Sequence, residues 1–98
     1  MTNSTEHFLQ TLEAIITDRL ENPSQESYTA SLAARGTKRM AQKVGEEAVE
    51  LALASVAGDR AEVLNEAADL VYHLLVLLQC QELRLSDVID TLEARHPG

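Results

Sequence analysis

The chain has no tryptophan, one cysteine and two prolines, and only three of its 98 residues are aromatic. A lone Cys80 excludes an intrachain disulfide, and its place in an apolar helical run makes a buried, inert thiol the expectation. Without tryptophan, Leu, Val and Ala must supply most of the core. One domain, residues 1–98, is the expected organisation, and a domain this small buries only about two-thirds of its unfolded surface. A second copy of the chain would relieve that shortage. Positive charge is also scarce: 8 Lys and Arg stand against 16 Asp and Glu, a net charge of -8. Binding to a nucleic-acid polymer draws on clustered basic residues, so no such partner is expected. Acidity still admits a phosphorylated small molecule, because a divalent cation bound by carboxylates inverts the local charge. The longest dense apolar run, Leu70 to Leu78, contains Tyr72 and His73 and falls well short of the roughly 20 residues that span a bilayer; it reads as protein core, with no membrane partner. Met1 to Glu6 is polar, lacks a basic or apolar stretch, and so carries no secretory signal, leaving a cytoplasmic location as the default.

Every segment with a pattern has a helical one, and no strand alternation or internal repeat is present. Phe8, Leu9, Leu12, Ile15, Ile16 and Leu20 fall on one stripe of a helix over Thr5 to Leu20, which Asn22-Pro23-Ser24 ends because proline cannot continue it. A polar loop leads to a short helix from Thr29 to Arg35 that stops at Gly36. Thr37 is a plausible N-cap for a long helix reaching Val56, with Gly58 beyond its end. Asp59 then caps the next helix, Arg60 to about Glu82, in a capping box with Glu62. That helix is apolar on nearly every face between Ala67 and Leu78 and must be covered on nearly all sides. Ser86 caps a last helix, Asp87 to Ala94, carrying Val88, Ile89 and Leu92 inward. The fold class expected is all-α: a small helical bundle built on an antiparallel helix hairpin and completed by homodimerisation.

Chemistry is concentrated on that hairpin. At about 100° per residue, Lys43, Glu46, Glu47 and Glu50 share a sector of roughly 100° beside the stripe of Met40, Val44 and Leu51, while Glu62, Glu66, Asp69 and His73 share roughly 60° of the following helix. The short Gly58-Asp59 turn sets the two acidic seams face to face. Two like charges 4 Å apart repel by about 1 kcal/mol in water and about 4 at an effective dielectric of 20, so facing carboxylates need either shared protons or a hard cation. Four or five carboxylates exceed what one general acid and base require, and all-oxygen ligation suits Mg2+, with Mn2+ a possible substitute, better than zinc. Solvated acidic faces produce the same spacing, and that bland reading stands beside the metal site. Lys43 is either an ion-pair partner of Glu47 one turn later or a phosphate contact. Gly45, costing about 1 kcal/mol in mid-helix, marks close approach by a helix or ligand, or else a tolerated surface glycine.

These residues resemble the phosphoribosyl-ATP pyrophosphatases, the histidine-biosynthesis branch of the all-helical nucleotide pyrophosphohydrolases that include dimeric dUTPases and MazG-type enzymes. The superfamily half-motifs, E-x-x-E and E-x-x-D, are Glu47-x-x-Glu50 and Glu66-x-x-Asp69. The closer match runs through Ser27-Tyr28-Thr29, Leu32, Gly36, Lys43 to Ala48, Gly58-Asp59 and Glu66 to Leu78, in order over nearly the whole chain. The resemblance implies Mg2+ held by Glu47, Glu50, Glu66 and Asp69 and hydrolysis of phosphoribosyl-ATP to phosphoribosyl-AMP and pyrophosphate. With no room for the cyclohydrolase domain fused in some members, the monofunctional form is expected. Glu46 or Glu47 would orient or deprotonate the attacking water.

Arg35, Lys38, Arg39 and Lys43 are candidate phosphate contacts, Lys38 and Arg39 more often being solvated charges. Tyr28 and Thr29 are candidate substrate contacts, although a capping Thr and a core-edge Tyr explain them nearly as well. His73 is a candidate at the substrate or behind the metal ligands, or a hydrogen-bonded interhelical histidine. Two other functions fit the same residues: a house-cleaning pyrophosphatase for dUTP or a damaged triphosphate, and a non-catalytic helical dimer whose acidic seam binds a basic partner.

Overall fold

The computed structural model describes residues 2–24 and 26–98, with side chains from His7 onward. Among the described residues it holds five helices and no strand: α1 (Thr2–Glu21), α2 (Tyr28–Ala34), α3 (Thr37–Ala57), α4 (Arg60–Cys80) and α5 (Leu85–Arg95). The all-α class is therefore as expected, and α3 with α4 forms the most extensively packed pair, a hairpin closed at Gly58-Asp59.

Local signals account for most helix ends, and tertiary partners for the exceptions. Ser27, rather than Thr29, caps α2: its Oγ accepts from the Ala30 N–H at 3.1 Å, and Thr29 turns fully inward. The expected cap at Thr37 is also displaced. Gly36 occupies the N-cap position of α3 at φ 94°, ψ 164°, a conformation essentially restricted to glycine, and Thr37 is the first helical residue. One glycine both ends α2, through its N–H to the Ala33 carbonyl at 3.0 Å, and starts α3, accepting from Met40 N–H at 3.2 Å; the turn is too short for a separate cap. Asp59 caps α4 as expected, its Oδ1 accepting from Glu62 N–H at 3.2 Å.

Helix α4 stops at Cys80 rather than near Glu82 because the chain turns through a left-handed Glu82 (φ 61°). Its N–H reaches the Gln79 carbonyl at 3.0 Å and that of Leu83 the Leu78 carbonyl at 2.8 Å, the paired bonds that commonly terminate a helix at a glycine. Helix α5 starts one residue before the expected Ser86 cap. The Leu85 N–H is satisfied from a distance, by Glu13 Oε2 at 2.8 Å, and Asp87 accepts from Arg84 N–H at 2.9 Å, so a capping serine is not required.

The core is built from one face of each of α1 to α4: Ile16, Leu32, Met40, Leu75 and Val76, with Leu12, Leu20, Tyr72, Leu77, Cys80 and Leu85 packed around them. Burying one such aliphatic side chain is worth roughly 1.5–3 kcal/mol. Gln79 braces α1 to α4, its Nε2 donating to the Glu13 carbonyl at 2.9 Å and its Oε1 accepting from Thr17 at 2.6 Å. Cys80 is half-buried, which pushes its thiol pKa up and keeps it protonated.

Much apolar surface stays uncovered. Val49, Leu53 and Val56 on α3 and Leu64 and Val71 on α4 are exposed, so the uncovered face is shared by both hairpin helices rather than belonging to α4 alone. On α5, Ile89 and Leu92 are exposed and none of its residues is buried, contrary to the expected inward packing; the helix is attached mainly through its N-terminal turn. Taken over its full length, α4 is long and apolar enough to cross a bilayer by length and composition alone, which the shorter Leu70–Leu78 run did not suggest. In this fold His73, Leu75 and Val76 of α4 are buried within the bundle, and its first half carries acidic residues of the candidate site.

Candidate metal centre

Antiparallel packing brings Glu47 of α3 opposite Glu66 and Asp69 of α4, and one carboxylate oxygen from each lies within 4.8 Å of the other two. Glu47 is only 4% exposed. Its Oε1 pairs with Lys43 Nζ at 3.2 Å, while its Oε2 is enclosed without any hydrogen-bond partner, as is Oε2 of Glu66. An enclosed carboxylate oxygen lacking a donor is strongly disfavoured, and here two of them belong to one cluster.

Glu50 completes the set at its edge. It stands in hydrogen-bonding reach of Glu66, and that bond, followed by burial and by the charges of Glu50, Glu47 and Asp69, pushes the Glu66 pKa up to about 7. Two carboxylates can share a hydrogen bond only when one holds a proton, so without a cation the cluster relieves its repulsion by retaining one. A small hard cation among the same oxygens would supply the balance that the proton supplies and would satisfy both orphaned atoms. The donor set is oxygen throughout. His73 offers no nitrogen, since Nδ1 lies 2.7 Å from the Asp69 carbonyl and Nε2 2.7 Å from the Tyr28 hydroxyl.

The other residues of the two seams disperse. Glu46 faces away from the triad toward Arg39 at 3.7 Å and Gln42 at 3.5 Å, and Glu62 is exposed. Lys43 lies beside the triad, its pKa raised first by the hydrogen bond to Glu47 and also by the nearby Tyr28, Glu47 and Glu46 charges. Arg35 is exposed at the end of α2 and Lys38 is exposed on the first turn of α3. Thr29 is fully buried and hydrogen-bonded to the Tyr72 hydroxyl. Tyr28 is half exposed, its ring set edge-on to His73 at 5.7 Å. Gly45 is exposed, and a Cβ there would meet nothing within 4 Å; among the described residues none makes the close approach that its mid-helix position suggested.

A cleft of about 390 Å³ opens beside Glu50 and Glu66, bounded also by Leu53, Ala54, Asp59 and Glu62. A larger cavity of about 590 Å³ lies at the start of α5, lined by Leu9, Glu13, Arg84 and Ile89 among others, and contains none of the candidate site residues. The carboxylate chemistry makes the smaller cleft the relevant one. Sequence reasoning passed over one polar group. Glu13 is 8% exposed and caps α5 from 72 residues away, a relationship with no local signature. Arg39, a candidate phosphate contact that its charge marked more often as solvated, holds an enclosed, unpartnered Nε.

A family model described as phosphoribosyl-ATP pyrophosphohydrolase matches residues 9–96. The histidine biosynthesis bifunctional protein HisIE of Photobacterium profundum is 58% identical over 89 residues, which are 91% of this chain and 43% of that protein. The corresponding proteins of Vibrio cholerae and Salmonella typhimurium are each also 58% identical over 91% of this chain, covering 42% and 44% of their own lengths. The chain thus spans less than half the length of these relatives.

Proposed function

The chain belongs to the phosphoribosyl-ATP pyrophosphohydrolase family, and from that premise we propose that residues 1–98 act as one catalytic domain hydrolysing phosphoribosyl-ATP to phosphoribosyl-AMP and pyrophosphate, the second step of histidine biosynthesis, in the cytoplasm. The observation that carries this reading is the pair of enclosed, unpartnered oxygens on Glu47 and Glu66 within the triad completed by Asp69. That arrangement asks for a cation, and a triphosphate is a substrate that needs one.

Glu47, Glu50, Glu66 and Asp69 would hold Mg2+, or Mn2+ in its place. When bound, the cation supplies neutralisation of the triphosphate and polarisation of the phosphoryl group under attack. Lys43 orients Glu47 through its 3.2 Å pair and adds positive charge beside the phosphates. Of the two carboxylates considered for the attacking water, Glu47 lies in the triad, whereas Glu46 stands outside it and would have to leave Arg39 to orient the water and take its proton. Arg35 and Lys38, exposed around the α2–α3 turn, contribute attraction for the polyphosphate. Thr29 acts through the α2–α4 contact rather than by touching substrate, since its side chain is buried. A homodimer, formed over the exposed apolar residues of α3 and α4, would supply the cover this chain lacks.

Pyrophosphate release from phosphoribosyl-ATP, measured with magnesium and with EDTA alongside dUTP and dATP as competing substrates, tests the proposal. Asp69→Ala lowers turnover by at least about a hundredfold, the upper range for disturbing a metal site's supporting groups. Undiminished activity in that variant, or faster turnover of dUTP, refutes it.

A further inference from the structure

Hydrogen-bond polarity at Tyr28 restricts what this residue can recognise. His73 is only 6% exposed, and both of its ring nitrogens are engaged, Nδ1 with the Asp69 backbone oxygen at 2.7 Å and Nε2 with the Tyr28 hydroxyl at 2.7 Å. A carbonyl oxygen only accepts, so Nδ1 carries the proton. In the neutral imidazole Nε2 is then an acceptor, and Tyr28 donates to it. The phenolic proton is committed inward, and only oxygen lone pairs remain for a ligand.

The surroundings hold Tyr28 in that role. Its neighbour Thr29 is hydrogen-bonded to Tyr72, the neighbour of His73, so consecutive residues of α2 are matched to consecutive residues of α4. The His73 ring also stands edge-on to both tyrosines, at 5.7 Å from Tyr28 and 5.6 Å from Tyr72. Tyr28 nevertheless stays 52% exposed, and His73, bonded to both the Tyr28 hydroxyl and the Asp69 backbone oxygen, ties it to the carboxylate triad. A fixed, half-exposed acceptor beside a cation site is a recognition element rather than core.

We propose that Tyr28 binds the nucleoside end of the substrate, its oxygen accepting a hydrogen bond from a ribose hydroxyl or a base N–H, and that His73 is a positioning residue that sets this polarity. Phosphate oxygens carry lone pairs only, and a hydroxyl whose proton is held by His73 has nothing to donate to them. The polyphosphate is left to Lys43 and the cation. This inference rests on the nucleotide-hydrolysing function proposed above and gives the substrate a direction in that site.

Calorimetric titration with AMP and, separately, with pyrophosphate, each in magnesium, tests it on wild-type protein and on Tyr28→Phe, His73→Gln and His73→Leu, with circular dichroism confirming each fold. Tyr28→Phe weakens AMP binding roughly three- to tenfold, the worth of one net hydrogen bond, and leaves pyrophosphate binding unchanged. His73→Gln, whose amide oxygen can accept the Tyr28 proton, keeps most of the AMP affinity, whereas His73→Leu falls to the level of Tyr28→Phe or below. Equal losses for AMP and pyrophosphate, no loss of AMP affinity in Tyr28→Phe, indistinguishable His73 variants, or a wild-type protein that does not bind AMP would overturn the assignment. Failure of the wild type to release pyrophosphate from phosphoribosyl-ATP would instead overturn the proposed reaction, a separate readout from these affinities.

Discussion

Titrating the protein with magnesium across a range of pH probes the carboxylate cluster directly, because the cation and the proton on Glu66 compete for the same oxygens. With the Glu66 pKa pushed up to about 7 by the hydrogen bond its protonated form donates to Glu50, by burial and by neighbouring carboxylates, the cation-free protein carries about 0.9 of a proton there at pH 6, about half at pH 7 and about 0.1 at pH 8. Magnesium should expel those amounts, and its apparent affinity should fall by nearly a factor of ten per pH unit below about 7. Calorimetry in buffers of differing ionisation enthalpy reads the proton count from the slope of observed heat against buffer enthalpy. The same group has a consequence for stability. A carboxyl whose folded-state pKa lies above its unfolded value of 4.5 binds more protons folded than unfolded between the two, so its contribution is fully present below about 4.5 and is lost as pH rises through about 7. Melting of the EDTA-treated protein should therefore show this loss toward pH 8, and magnesium should restore stability there. Absence of proton release at pH 6, or equal release from Glu66→Gln, would refute the argument that these carboxylates share one cation site.

Thr29→Val removes a buried hydroxyl and leaves the Tyr72 hydroxyl without its partner, so urea unfolding should show a loss of about 1–3 kcal/mol; a change within experimental error would mean that the α2–α4 bond contributes nothing. Leu53 is 64% exposed on the apolar face of α3, and Leu53→Glu should convert a dimer to a monomer by light scattering with helix content retained. A wild-type protein that is itself monomeric would refute the proposed assembly.

Helix positions were largely legible in the sequence because their determinants are local. Pro23 stops α1, Gly58 and Asp59 separate α3 from α4, and the E-x-x-E and E-x-x-D spacings place each acidic pair on one side of its helix. Among the ends misjudged, Thr37 gives up its cap position to Gly36, and at Glu82 and Ser86 a left-handed non-glycine residue or a carboxylate 72 residues away does the capping. Within the seams, sequence periodicity put Glu46, Glu47, Glu50, Glu62, Glu66 and Asp69 on facing sides, but periodicity belongs to one helix and contact belongs to two. The axial offset and rotamers of the packed hairpin decided that Glu47, Glu66 and Asp69 converge, that Glu50 stands beside Glu66 at their edge and that Glu46 turns to Arg39. Tertiary packing likewise decided that Thr29 is buried while Tyr28 beside it keeps an exposed face, because only the approach of Tyr72 and His73 on α4 distinguishes two adjacent residues of the same short helix.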